Sequence, residues 1–177
     1  MTELNQSAFP RSGTNTLNIG LTLCFPQYLI NSPEYSPKAI KNKDNIFVVF
    51  RDPVDSIASW AHYSDYMQQT ITIDALIDWW SIFAKTTLEC LDTVFTTTFD
   101  VLIDNHDYAF NEYAKKFNLD KPKNVSKETI DLHVKTNFPT NFPRPQISIP
   151  ESIRLKILES KSYQNADSLY KLIKTSC

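Results

Sequence analysis

Five consecutive apolar residues, Ile46-Phe47-Val48-Val49-Phe50, form an unbroken run of β-branched and aromatic side chains. That pattern predicts a strand buried on both faces of a parallel sheet. Val94 to Phe99, rich in Thr and aromatics, predicts a second strand. Elsewhere the apolar positions recur at helical spacing. Asn15 to Phe25 carries Leu17, Leu21 and Cys24 on one side, and Pro26 closes it. Val54 to Met67 is periodic in the same way. Thr72 to Asp92 is a longer helix with Ile73, Leu76, Ile77, Trp80, Phe83, Ala84 and Leu88 on one side. Tyr108 to Phe117 predicts a further helix, and Pro150 to Ile173 one or two more. Between these lie a short lead-in at Ser7 to Pro10 and the stretch Gln27 to Asp44. There Pro33 and Pro37 imply turns and extended chain, with room for one short strand. The proline-rich stretch Asn137 to Pro150 reads as a loop. Strands alternating with helices indicate βαβ units, hence an α/β fold with a mainly parallel central sheet flanked by helices. No internal repeat divides the chain, and 177 residues suit a single domain.

Composition narrows the partners. Apolar residues make up 42% and charged residues 21%, so the chain can close a core. The formal net charge of −2 argues against a general affinity for nucleic acid or acidic membranes, and any anion site must be a local cluster. Cys24, Cys90 and Cys177 show neither C-x-x-C spacing nor nearby histidines, which argues against a zinc site or a disulfide framework. The expectation is a reducing compartment and a cytoplasmic protein: the N-terminus has no signal-peptide pattern, and no run approaches a membrane span.

Two segments carry chemistry. Phe9-Pro10-Arg11-Ser12-Gly13-Thr14-Asn15-Thr16-Leu17 is a tight turn feeding a helix N-terminus, where unpaired N–H groups and the helix dipole together attract an anion. Gly13 is one of only two glycines in the chain, so its place in that turn is informative. Arg11 adds a cation, and Ser12, Thr14 and Thr16 add hydroxyls. The G-x-x-x-x-G-K-[ST] pattern of nucleotide triphosphatases is absent. The second segment is Val48-Val49-Phe50-Arg51-Asp52-Pro53-Val54-Asp55-Ser56-Ile57-Ala58-Ser59-Trp60. Arg51 leaves the C-terminal end of the predicted strand, where open α/β sheets place ligands, and Ser59 lies about two turns into the next helix. A helix cap and an Arg-Asp ion pair are the structural alternatives for these two turns. Their spacing of about 40 residues favours instead a ligand with two separate phosphates.

On these residues the sequence resembles the sulfotransferase family. Pro10 to Thr14 is similar to the family's P-[KR]-S-G-T-T segment, with Asn15 in place of the second Thr. Arg51, Pro53, Asp55 and Ser59 match R-[ND]-P-x-D-x-x-x-S without a gap. Thr98-Phe99-Asp100-Val101-Leu102 resembles a later Tyr-Glu-Asp-Leu stretch, so the likeness runs from about residue 7 to 120. The resemblance implies a P-loop-type three-layer fold that binds 3′-phosphoadenosine 5′-phosphosulfate (PAPS) without a metal. It implies that Arg11, Ser12, Gly13, Thr14, Asn15 and Thr16 cradle the 5′-phosphosulfate and that Arg51 and Ser59 hold the 3′-phosphate. Phe99 would contact adenine. Relatives add a late basic motif on the 3′-phosphate, for which Lys135 and Arg144 are the candidates here.

The implied activity is sulfuryl transfer from PAPS to a hydroxyl or amine of a small-molecule or carbohydrate acceptor, with Arg11 stabilising charge on the bridging oxygen. That step needs a base. No His occurs between Leu17 and Arg51, so Glu34 is the first candidate, with Tyr35 beside it and His62 as the other. His106 and His133 stand in no motif. Trp60, Tyr63, Trp79 and Trp80 either line an acceptor groove or pack the core. Two alternatives remain at this level: a nucleotide-binding protein on the same scaffold that has lost catalysis, and a P-loop small-molecule kinase. The kinase would need a Lys within the loop and an Asp for Mg²⁺.

Overall fold

The computed structural model describes residues 2–137 and 149–177. In chain order the elements are β1 (Glu3–Ala8), α1 (Thr14–Cys24), β2 (Leu29–Ile30), α2 (Pro37–Asn42), β3 (Ile46–Phe50), α3 (Pro53–Tyr66), α4 (Ile73–Glu89), β4 (Val94–Thr98), α5 (Phe99–Asp104), α6 (His106–Lys116), α7 (Lys127–Asn137), α8 (Glu151–Glu159) and α9 (Tyr163–Ser176). The four strands form one sheet in the order β2-β1-β3-β4, and every pairing is parallel.

The apolar run of β3 is why the sheet sits where it does. Its side chains alternate between faces, as strand geometry requires. Ile46, Val48 and Phe50 join a core with Ile57 and Ala58 of α3, Trp80 and Phe83 of α4, Ile157 of α8 and Tyr170 of α9. Phe47 and Val49 join a second core with Leu17 and Leu21 of α1, Leu102 of α5, Phe110 and Tyr113 of α6 and Ile130 of α7. The result is three layers: helices, parallel sheet, helices. Large side chains such as Trp80, Tyr113 and Phe47 are fully buried, and each contributes about 1.5–3 kcal/mol or more of transfer free energy.

The structure departs from the pattern reading at β1. Ser7 to Pro10 reads as a lead-in and the residues before it predict no element, yet Glu3–Ala8 is a central strand, paired with β2 on one side and β3 on the other. Most of its buried polar side-chain atoms bond to main-chain groups of later residues, while Gln6 Oε1 has no partner among the described residues. Asn5 Nδ2 donates to Asp44 O at 2.8 Å, Gln6 Nε2 to Asn31 O at 2.8 Å, and Ser7 Oγ to Glu34 O at 2.7 Å. Such partners remove most of the cost of burying polar groups.

Smaller differences have local causes. Pro37 sits at the start of α2 behind Ser36, whose side chain accepts from Lys38 N, so the proline opens a helix there rather than extending the chain. Phe99 belongs to α5 and not to β4, because Thr98 caps the helix by accepting from Val101 N. The C-terminal stretch is two helices, α8 and α9. The helix α7 carried no expectation beyond Lys135. The loop expected over Asn137 to Pro150 falls mostly outside the described residues; Asn137 ends α7 and Pro150 caps α8.

Candidate functional site

A cleft of roughly 470 Å³ opens where β1 and β3 end and α1 and α3 begin. Arg11, Gly13, Thr14, Asn15, Thr16, Arg51, Ser59 and Phe99 all line it, joined by Tyr35, Trp60, Tyr63 and Val134. Parallel strands put successive helix N-termini at the same edge of the sheet, which is why two loops far apart in sequence meet here.

The first wall is the turn between β1 and α1. Ser12 N donates to Phe9 O at 3.2 Å, and the residues on either side of it have positive φ, Arg11 at 68° and Gly13 at 93°. Gly13 is the N-cap of α1. A Cβ on it would stand 2.3 Å from Cδ2 of Phe99, so both conformation and space demand glycine. No side chain caps α1, and its first turn carries no acid. The N–H groups of Gly13, Thr14, Asn15 and Thr16 therefore have no partner within the helix, and the dipole leaves them electropositive. Ser12 is fully buried, and its Oγ has no hydrogen-bond partner among the described residues.

The second wall is the junction between β3 and α3. Asp52 caps α3, its Oδ1 accepting from Val54 N at 2.9 Å and from Asp55 N at 3.4 Å. Pro53 supplies the first helical position, where its missing N–H costs nothing. Arg51 lies with its guanidinium 5.4 Å from the centre of the Phe99 ring, and its Nη2 is 3.8 Å from Asp55 Oδ2. The two walls touch. Arg11 Nε donates to Ser59 Oγ at 3.2 Å, and the Arg11 guanidinium lies 5.2 Å from the centre of the Tyr63 ring. Both cations thus rest on aromatic faces, an arrangement worth about 0.5–1 kcal/mol each at exposed sites.

Glu34 is not among the residues lining the cleft. It forms an isolated parallel bridge with Ser7, and its Oε1 accepts an ion-paired hydrogen bond from Lys43 Nζ. The neighbouring Tyr35 faces the cleft instead. His62 is half-buried on α3 with Nε2 unpartnered among the described residues, and it does not line the cleft. His106 bonds to Val125 O at 2.7 Å and His133 to Thr129 O at 2.8 Å, and neither lines the cleft. Trp80 is core, whereas Trp60 lines the cleft and packs edge-on against Trp79 at 6.2 Å. Lys135 is exposed at the end of α7, one residue beyond the cleft-lining Val134. Arg144 lies outside the described residues.

Sequence reading missed one charged group: Arg154 of α8, whose Nη1 donates to Asp55 Oδ1 at 2.6 Å. It stands 99 residues from its partner in a helix without a motif, and no local signal could have marked it. Among the described residues no cluster of three or more His, Cys, Asp or Glu could hold a metal ion, and no helix is long and apolar enough to cross a membrane.

The three-layer arrangement is the fold of the sulfotransferases. A mouse sulfotransferase solved in complex with PAP superposes with a TM-score of 0.57 at 12% identity, over 97% of this chain and 83% of that one. The sulfotransferase domain from the curacin biosynthetic pathway superposes with a TM-score of 0.58 at 11% identity, over 97% of this chain and 98% of that domain. No protein-family model matches the sequence, and no curated protein matches it significantly.

Proposed function

We propose that the cleft binds PAPS and that the protein transfers its sulfuryl group to a hydroxyl or amine acceptor. One observation carries this reading: Arg11 and Ser59, from junctions 48 residues apart, are hydrogen-bonded at 3.2 Å. The two anion-attracting walls therefore form one cleft with two places for phosphate. The uncapped, acid-free start of α1 suits the 5′-phosphosulfate, while Arg51 and Ser59 suit a 3′-phosphate. Phe99, between Gly13 and Arg51, offers an apolar face to a base. The PAP named with the mouse structure is consistent with this ligand class.

PAPS supplies the sulfuryl group and a bisphosphate leaving group. The chain's part is to hold the phosphates, to exclude water with Trp60 and Tyr63, and to place Arg11 beside developing negative charge. A second reading, nucleotide binding without turnover, is favoured by one observation: the Glu34 carboxylate is engaged by Lys43 rather than facing the cleft.

Binding of 3′,5′-adenosine bisphosphate tests the first claim, read by calorimetry and thermal shift beside AMP and ATP with Mg²⁺. At a hundredfold excess over Kd the bisphosphate should add about 2.7 kcal/mol, or roughly 5–11 °C. Selective stabilisation supports the two-phosphate cleft, and an acceptor screen with PAPS then separates transfer from mere binding. An equal response to ATP with Mg²⁺ would favour a kinase. No response from folded protein would sink the assignment.

A further inference from the structure

We infer that Arg154 is a positioning residue for the cleft: it occupies the Asp55 carboxylate and so keeps the Arg51 guanidinium available to a bound phosphate. This rests on the reading of the cleft as a site for a nucleotide with a 3′-phosphate.

Asp55 stands between two arginines, one on each side of its carboxylate. Arg154 Nη1 lies 2.6 Å from Oδ1, the length of a strong charge-assisted hydrogen bond. Arg51 Nη2 lies 3.8 Å from Oδ2, within ion-pair range but too far for a hydrogen bond. The division is unequal, and it leaves the Arg51 fork uncommitted. Arg51 makes no hydrogen bond among the described residues, and it lines the cleft while Asp55 and Arg154 do not. Without Arg154, the carboxylate would have one cation left to bind. It already stands within ion-pair range of Arg51, and a phosphate would then compete with it. With Arg154 in place, the trio carries a net charge of about +1 beside the cleft by formal charges.

The arrangement also links the site to the C-terminal part of the fold. α8 packs on α3, with Ile157 buried in the same core as Ile57. The guanidinium of Arg154 therefore comes from a fixed scaffold.

A double-mutant cycle decides between this role and simple docking of α8. Kd for 3′,5′-adenosine bisphosphate and for AMP is measured for wild type, Arg154→Gln, Asp55→Asn and the double variant, with melting curves to check folding. The expected result is a rise of about tenfold for the bisphosphate in Arg154→Gln, equivalent to 1.4 kcal/mol. AMP should move less than about twofold, and the added Asp55→Asn should restore bisphosphate binding, since no carboxylate is left to claim Arg51. Unchanged bisphosphate binding in Arg154→Gln overturns the inference. So does a loss shared equally by AMP and not rescued by Asp55→Asn, which is the signature of a structural role. If Arg154→Gln does not fold, Asp55→Asn alone decides: it preserves or tightens bisphosphate binding under the inference and weakens it if the pair only holds α8. Wild-type protein that ignores the bisphosphate overturns the underlying reading and this inference with it.

Discussion

The two junctions that wall the cleft occupy equivalent places in the fold and differ in almost everything else. Between β1 and α1 the chain takes a loop with two positive-φ residues, and the helix starts with no side-chain cap and no acid in its first turn. Between β3 and α3 the connection is Arg51-Asp52 alone, the Asp52 carboxylate caps the helix, and Asp55 adds a second negative charge to its first turn. The positive end of α1 is open, whereas that of α3 is already neutralised. Position at the C-terminal edge of a parallel sheet does not by itself make a helix attract anions; the capping residues decide. At the first junction an anion meets backbone. At the second it meets side chains.

The sharpest way to break that contrast is Gly13→Ala. A non-glycine residue there combines left-handed strain of about 1–3 kcal/mol with the Phe99 contact. We expect a lower urea midpoint and a parallel loss of AMP and bisphosphate affinity, with partial recovery when Phe99→Ala is added. An unchanged midpoint would mean that backbone conformation does not govern the first wall. Arg51→Ala should act on the other wall alone. It should cost about 1.5–3 kcal/mol of bisphosphate affinity and leave AMP within about twofold, measured by calorimetry. Asn15→Asp makes the first junction resemble the second. The helix should gain about 0.3–1 kcal/mol in chemical denaturation while anion affinity falls, so stability and binding move in opposite directions. Asp52→Ala does the reverse: it should cost about 1 kcal/mol of stability through the lost cap.

The smallest effect concerns the far end of the helix that starts at the first wall. Cys24 ends α1, and burial, with a lesser contribution from the charge of Asp107, pushes its thiol from 9.0 up to about 12. Burial likewise lifts Tyr170 from 10.0 to about 12. Both groups hold their protons longer in the folded chain than in the unfolded one, so their contribution is full below pH 9. It is lost as pH climbs towards 12. By pH 10 the thiol alone should have removed about 1 kcal/mol, and Cys24→Ala should flatten that part of the pH–stability curve.

How much of this could be read from sequence varied with how local the cause is. The apolar run of β3 and the periodicity of α3 and α4 are self-evident patterns, because each element's burial is written in its own residues. The same holds for the segments that supply the cleft: Arg11 to Thr16 and Arg51 to Ser59 are short stretches at strand-to-helix junctions, and their geometry follows from the strand and helix on either side. β1 was hidden because its stabilising partners are main-chain groups of residues 31, 34 and 44, and no hydrophobic alternation betrays it. Ser36-Pro37 opens a helix where the prolines suggested extended chain. The pairing of Glu34 with Lys43 and that of Asp55 with Arg154 depend on how distant segments register against each other, and neither leaves a trace in spacing.

The polar character of β1 also matters while the chain is being made. Residues 3–8 leave the ribosome before their partners, and the groups that bond their side chains lie as far on as Asp44. A hydrophobic strand in that place would spend the interval as an exposed, sticky edge, the kind of segment that seeds aggregation. Glu3, Asn5, Gln6 and Ser7 keep this one hydrated and inert until β2 and β3 arrive. An inner strand of the sheet can thus wait in water without finding the wrong partner.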